Sequence, residues 1–257
     1  MHNAIVTAIN LFPVRSCAGI SLNEAKVTPN GFEFDRQWRL VTPAGKFITQ
    51  NNVPKMALVK PALTGSTLNL SFAGSSSCLT VRGDNGTLSP VQVSDGCLGF
   101  DQGDEVAHWL STVLGAETRL LRLRSESSSV DFVRPNMYPV LIISQESLAD
   151  LNSRLESPVF MNRFRPNLVV SGVDAYEEES WTKVWIGGIL FEQATDPCGR
   201  CPMINIDQEK GERSGKEPLT TLINYRRMPG AVVFGKYMVP LSDGVIRVND
   251  KISAAMF

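Results

Sequence analysis

The stretch Asp196-Pro197-Cys198-Gly199-Arg200-Cys201-Pro202-Met203-Ile204-Asn205-Ile206-Asp207 sets two thiols and a guanidinium among residues that restrict or free the backbone. Pro197 fixes its own φ and pushes Asp196 toward an extended conformation. Gly199 is expected to let the chain pass where a Cβ would not fit, and Pro202 removes a donor directly after Cys201. Met203 to Ile206 alternates as a strand does, so Cys201 is expected on a constrained loop between two strands. A thiol beside Arg200 has its ionised form favoured, and a thiolate is both a nucleophile and a soft metal ligand. A Cys-x-x-Cys also fits half of a zinc site, a redox dithiol or a pair of unreactive thiols. Zinc takes about four ligands, whereas His2 and His108 lie far away in sequence and no second Cys-x-x-Cys exists. A redox dithiol should open a helix after a strand, which the alternation after Cys201 argues against.

With Lys216-Glu-Pro-Leu-Thr-Thr-Leu222 and Tyr225-Arg226 downstream, this stretch resembles the MOSC domain, specifically that of the amidoxime-reducing component and its bacterial relatives. The resemblance extends in order through Phe12-Pro-Val-Arg-Ser-Cys17, Phe34-Asp-Arg36, Leu141-Ile-Ile-Ser144, Ser147 to Leu155, Phe164-Arg-Pro-Asn167 and Phe234-Gly-Lys-Tyr237, which covers nearly the whole chain. It implies that Cys201 is the protein thiolate on molybdenum, and so both the metal ligand and the catalytic residue. It also implies that Arg15, Ser16, Arg36, Ser144, Arg165, Asn167, Arg200 and Tyr237 hold the molybdenum cofactor, a molybdopterin. The family usually has Lys where this chain has Arg15; Arg keeps the charge but presents a bidentate fork, so a phosphate contact is expected with altered geometry. The implied reaction is two-electron reduction of N-hydroxylated small molecules such as amidoximes and hydroxylamines. A non-catalytic alternative within the resemblance is a carrier of the cofactor or of sulfur, using a Cys201 persulfide.

Composition bounds the reading independently. The chain has 257 residues, enough for one or two domains, and its 43% hydrophobic and 20% charged content is that of an ordinary globular protein. A formal net charge of -1 gives no general nucleic-acid surface, so anion binding must come from local clusters. No run approaches the roughly 18 apolar residues of a membrane span, and the first residues lack a basic region leading into an apolar signal core. No membrane association is expected, and a cytoplasmic protein is. Five cysteines, an odd and scattered number, do not read as a disulfide framework.

Along the chain, Ile5, Thr7 and Ile9 alternate with Val6, Ala8 and Asn10 up to Pro13, a first strand that delivers Arg15 and Ser16 on a loop. Residues 34–49 read as a hairpin about Pro43-Ala44-Gly45. Short strand-like segments near Leu58, Leu68 to Phe72, Leu79 to Arg82 and Val91 to Val93 suggest a barrel-like unit, with Cys78 and Cys97 assigned to packing. From Asp104 the apolar period becomes helical and Gly115 ends it; Arg119 to Arg124 then alternates as a strand with a solvated face, and Ser125 to Ser129 reads as a linker. Pro139 to Ile143 is a buried-strand run, and Ser144 is placed to cap a helix carrying Leu148, Leu151 and Leu155. Arg163 to Val170 leads into another strand, and Trp181 to Glu192 holds a hairpin about Gly187-Gly188. Pro218 is expected to open a helix with Leu219, Leu222 and Ile223 facing inward, before closing strands at Val232 to Val239 and Val245 to Val248.

The expected fold is therefore β-rich α+β with two barrel-like units. Residues 1–36 carry the first strand and cofactor loop and pack with the MOSC unit, 37–127 form the N-terminal β-barrel-like unit, and 128–257 form the MOSC domain. No Gly-x-Gly-x-x-Gly opens a helix and no Cys-rich iron-sulfur module follows Val248, so a separate electron-donor protein, a reductase or a ferredoxin-like protein, is expected.

Overall fold

The computed structural model describes residues 4–81, 90–92, 98–123, 139–195 and 197–254. The chain is β-rich, with helices α1 (Asp104–Leu114), α2 (Gln145–Ser153) and α3 (Leu219–Tyr225) set among short strands. Its largest sheet has eight strands in the order Ile20–Leu22, Ile5–Leu11, Leu168–Ser171, Val140–Ser144, Lys236–Pro240, Ile189–Gln193, Lys183–Ile186 and Ile252–Ala254. Backbone bonds Val6 N–H to Asp250 O, Ile252 N–H to Ala4 O and Asn249 N–H to Val6 O bring the far edge back beside the first strand. The sheet thus curls like a barrel without a continuous ladder joining its ends.

The apolar run at 140–143 is buried on both faces because both faces carry a core. Val140 and Ile142 point into a cluster with Val6, Ile9, Phe191 and Met238, while Leu141 and Ile143 point into one with Phe164, Cys198, Leu222 and Phe234. Val140–Ser144 and Leu168–Ser171 run parallel, and α2 supplies part of the crossover that parallel strands require. The hairpin Lys183–Ile186 to Ile189–Gln193 turns through Gly187 and Gly188 at φ 57° and 80°, the left-handed pair that a tight two-residue hairpin needs.

A separate core gathers Val14, Trp38, Leu40, Met56, Leu68, Leu70, Val106, Leu110 and Leu120. It lies among a four-stranded sheet (Trp38–Val41, Arg119–Leu123, Leu98–Asp101, Pro90–Gln92), a three-stranded sheet (Val59–Thr64, Thr67–Phe72, Cys78–Val81) and α1. Gly115 closes α1 at φ 69°.

Several expectations need correction. Met203 to Ile206 does not form one strand: Pro202–Asn205 is a 3-10 turn with Pro202 at its start, where its missing N–H is not needed, and only Ile206–Asp207 is extended. Gly199 is not forced by space, since a Cβ there would meet Ala231 Cβ at an ordinary 3.5 Å. Cys78 is exposed, because on its edge strand it is Val81 that turns to the core. Cys97 and the Ser125 to Ser129 linker lie outside the described residues. Ile223 is 40% exposed because, one residue after buried Leu222, it is rotated off the inward face of α3. Arg119 is not merely solvated but paired with Asp101 and Asp104. The expected strand 232–239 is interrupted at Gly235, whose φ of 82° breaks the extended run; a Cβ there would stand 2.6 Å from Ile143 Cγ1.

Ser144 caps α2 as expected: Ser147 N–H donates to its Oγ at 3.0 Å. The acceptor at this helix start is the chain's own Glu178 carboxyl. Its Oε1 accepts from Ser144 N–H at 3.0 Å and from Ser147 Oγ–H at 2.7 Å, while Oε2 is buried without a partner. Burial raises the Glu178 carboxyl above its ordinary value, and these hydrogen bonds offset only part of that. The folded pKa therefore exceeds the unfolded one, so the group costs stability as pH rises through the folded pKa and the cost vanishes as pH falls below the unfolded one. Glu178→Gln keeps the acceptor and removes the charge, so it is expected to melt at or above wild type at about pH 8, with the gap closing toward about pH 4. Glu178→Leu orphans both donors and should cost about 1–3 kcal/mol. Thermal melts of the variants across pH check both outcomes.

Candidate functional site

The Cys-x-x-Cys segment is zipped against residues 232–235. Cys198 N–H donates to Gly235 O at 2.7 Å, Phe234 N–H to Cys198 O at 3.0 Å, Arg200 N–H to Val232 O at 2.7 Å, and Gly199 bridges Val233. Extended backbone alternates its side chains, and this alternation separates the two thiols. Cys198 turns inward, 3% exposed, into the core with Phe164 and Phe234; Cys201 turns out to solvent at the start of its 3-10 turn.

Arg200 also turns inward. Its Nε donates to Phe234 O at 2.8 Å, its Nη2 to the same oxygen at 2.6 Å, and its Nη1 to Phe164 O at 3.1 Å. The guanidinium thus ties the Cys loop to two neighbouring segments and commits much of its donor capacity to backbone. Tyr237 stands half-buried close by; burial, then the neighbouring Cys198, pushes its phenol up to about 12, against the opposing pull of Arg200 and Arg36. Tyr237 is therefore a neutral hydrogen-bonding group at neutral pH.

Arg36, Arg165 and Asn167 meet around Phe12. The guanidiniums of Arg36 and Arg165 lie 5.4 Å and 4.3 Å from its ring centroid. Asp35, buried, pairs with Arg36 and accepts Phe12 N–H at 2.8 Å. Both Arg36 and Arg165 have left-handed backbone, φ 54° and 57°, which turns their side chains off the course of the chain into this junction. Asn167 is fully buried: its Oδ1 accepts from Leu141 N–H at 3.2 Å and from Arg36 Nη1 at 3.1 Å, and its Nδ2 donates to Asn10 O at 3.2 Å. It fixes Arg36 and stitches three strands.

Arg165 is 7% exposed, and one guanidinium nitrogen donates to Cys17 O. Burial, with Arg36 as the next cause, lowers its pKa to about 10, which leaves it cationic at neutral pH. No carboxylate ion-pairs with it among the described residues. A cavity of about 500 Å³ opens over it, lined also by Phe12, Gly19, Phe160, Asn162 and Gln208. Cys17 itself is buried and its thiol is pushed up to about 12 by that burial, so it is inert.

Arg15 is exposed, with its guanidinium 5.9 Å from the Phe47 ring centroid, and it adds to the positive field at Arg165. Ser16 is buried at φ 65°, its carbonyl accepting Gln50 Nε2 at 2.8 Å. Ser144 is fully buried in the Glu178 network and is not presented to solvent. The structure therefore gathers Arg15, Ser16, Arg36, Arg165 and Asn167 at one junction, places Tyr237 and Arg200 against it, and leaves Ser144 behind the sheet surface.

Residues that the sequence reading missed close the junction on the other side. Gln50 and Gln208 exchange amide hydrogen bonds at 3.0 and 2.9 Å, Arg213 Nη2 donates to Asn51 O at 2.9 Å, and Asn51 Nδ2 lies 3.7 Å from Cys201 Sγ. Their pairing across about 160 residues leaves no local periodic signal. No cluster of three or more His, Cys, Asp or Glu side chains able to hold a metal occurs among the described residues.

Two family models cover nearly all of this architecture: the MOSC N-terminal beta barrel domain matches residues 3–117 and the MOSC domain residues 129–253. The chain belongs to the MOSC family. Among curated relatives, human mitochondrial amidoxime-reducing component 1 is 32% identical over 96% of this chain and 82% of its own length. The rat mitochondrial amidoxime reducing component 2 is 30% identical over 96% of this chain and 82% of its own. The molybdenum cofactor sulfurase of Oryza sativa subsp. japonica is 33% identical over 89% of this chain, which spans 31% of that protein. The N-terminal family match and the strand pairing overlap: Ile5–Leu11 falls within residues 3–117, yet it pairs in the sheet with Leu168–Ser171 of the MOSC domain.

The residues present fit the molybdenum cofactor that this family implies. A buried guanidinium that forms no ion pair among the described residues, beside two further arginines, suits an anionic phosphate end, and an exposed thiol on a fixed loop suits a soft metal. No helix among the described residues is long and apolar enough to cross a membrane.

Proposed function

We propose that this MOSC-family chain is a molybdenum-cofactor-dependent reductase of N-hydroxylated compounds, amidoximes and hydroxylamines, with Cys201 as the protein ligand to the metal. The observation that carries the reading is the buried guanidinium of Arg165, which ion-pairs with no carboxylate among the described residues and lies beside Arg36 on the seam that also presents Cys201. A buried cation with like charges beside it is stabilised by an incoming anion, so the junction favours a phosphate-bearing ligand. The names of the relatives, amidoxime-reducing components and cofactor sulfurases, support a molybdenum-cofactor-related function at the coarser level.

When bound, the cofactor supplies the two-electron chemistry on the N–O bond. The chain's own part is electrostatic and geometric. Arg165, Arg36 and Arg15 neutralise the phosphate. Asn167 holds Arg36 in register, and Arg200 fixes the loop so that the Cys201 sulfur faces outward. Tyr237 offers a neutral hydroxyl, and Ser16 lines the same junction. The two electrons come from a separate donor protein. In domain terms, residues 1–36 serve the MOSC unit of 128–257, and 37–127 form the N-terminal unit that closes the site.

Sulfur or cofactor carriage through a Cys201 persulfide is the second reading, favoured by the sulfurase relative and by the exposure of this thiol. Metal and pterin analysis of the purified protein, followed by an assay of benzamidoxime with a chemical reductant, separates the two. Bound molybdenum with benzamidine formation supports the reductase. A labile sulfur on Cys201 without turnover favours carriage, and neither molybdenum and pterin nor labile sulfur after expression in a cofactor-producing host overturns both.

A further inference from the structure

The geometry points to Asn51 as a positioning residue that hydrogen-bonds the Cys201 sulfur and raises the reduction potential of a metal bound there; the inference rests on the reductase reading above. Asn51 belongs to the part of the chain that builds the Trp38 core, and Cys201 to the part that carries the Phe234 core, so one contact joins the two across the junction. Nδ2 stands 3.7 Å from Sγ, within the longer reach of a bond to sulfur. A thiolate accepts and cannot donate, which sets the N–H side of the amide toward it.

Two observations set this contact apart from a chance surface encounter. The Asn51 backbone is clamped: Arg213 Nη2 donates to its carbonyl at 2.9 Å, and its neighbour Gln50 is locked to Gln208 and Ser16. The turn beneath it is closed by Asn52 N–H and Val53 N–H on Thr49 O, both at 2.9 Å. The other end of the amide is left at a cost, since Oδ1 is buried with no partner. Leaving a buried acceptor unpaired costs about 1–3 kcal/mol. The N–H to Sγ contact is the one hydrogen bond the side chain makes among the described residues.

A hydrogen bond to a metal-bound thiolate withdraws electron density from the sulfur, which stabilises the electron-rich reduced metal over the oxidised one. Losing the donor lowers the potential, and placing a carboxylate there lowers it further. The test is a redox titration of the molybdenum-loaded protein, following the Mo(V) electron paramagnetic resonance signal in wild type, Asn51→Leu and Asn51→Asp. The expected order of midpoint potentials is wild type highest, then Leu, then Asp, with equal molybdenum content. Asn51→Asp is nearly isosteric and keeps the test alive if the Leu variant does not fold. Coincident midpoints, or a rise in either variant, overturn the role of Asn51 while leaving the reductase reading intact. A wild type that holds no molybdenum overturns both.

Discussion

Cys201→Ser should abolish reduction of benzamidoxime while leaving the thermal melt close to wild type, and Cys198→Ser should keep activity within about threefold. The loss at 201 should exceed the 10–100-fold range typical of partners outside the first coordination sphere, because the ligand itself is removed. The asymmetry follows from the alternation of the extended segment that Gly235, Phe234 and Val232 hold by backbone bonds. That zipper buries Cys198 against Phe164 and Phe234 and turns Cys201 to solvent. A serine at 198 places a hydroxyl in an apolar cluster at a cost of about 1–3 kcal/mol, so its effect belongs in the melting temperature and not in turnover. Parallel activity assays and melts of the two variants read this directly. Activity lost at 198 and retained at 201 would put the metal on the wrong sulfur.

Arg165→Ala should lower cofactor occupancy by more than about tenfold, since a charge-assisted hydrogen bond to a phosphate contributes about 1.5–3 kcal/mol. Stability should hardly fall. The substitution gives up the bond to Cys17 O but relieves the repulsion from Arg36 and Arg15, and alanine meets the same left-handed backbone that arginine already occupies. Low occupancy with a normal melt is therefore the signature of a ligand-binding arginine. Equal molybdenum and pterin content in wild type and variant would make Arg165 a structural residue. The opposite balance is expected at Arg200, whose guanidinium is bonded to the Phe234 and Phe164 carbonyls, so that its loss acts first on the loop.

The parts of the fold legible in the sequence were those set by local patterns. The run at 140–143 gave a buried strand, Ser144 a helix cap, Gly115 a helix end and Gly187-Gly188 a hairpin, each written in a few adjacent residues. Met203 to Ile206 misled because period-two alternation over four residues cannot be told from a proline-started 3-10 turn. Ile223 misled because its inward assignment ignored the 100° step from Leu222.

At the site, the arginines were legible only through resemblance. Only the Pro166 that follows Arg165 distinguishes it locally from Arg163, and a helix-breaking proline does not say which arginine is buried; one lies over Phe12 and the other pairs with Asp207. Ser144 illustrates the converse: its cap was legible, but the carboxylate of Glu178, 34 residues away, takes its backbone N–H and closes the helix start. Asn51 and Gln208 carried no signal at all, because their meaning lies in contacts across the junction.

The claim that Cys201 holds molybdenum is tested most directly by X-ray absorption at the molybdenum edge, comparing wild type with Cys201→Ser loaded with the same cofactor. One fewer sulfur ligand in the variant is the predicted result. An unchanged sulfur count at equal molybdenum and pterin content would contradict it.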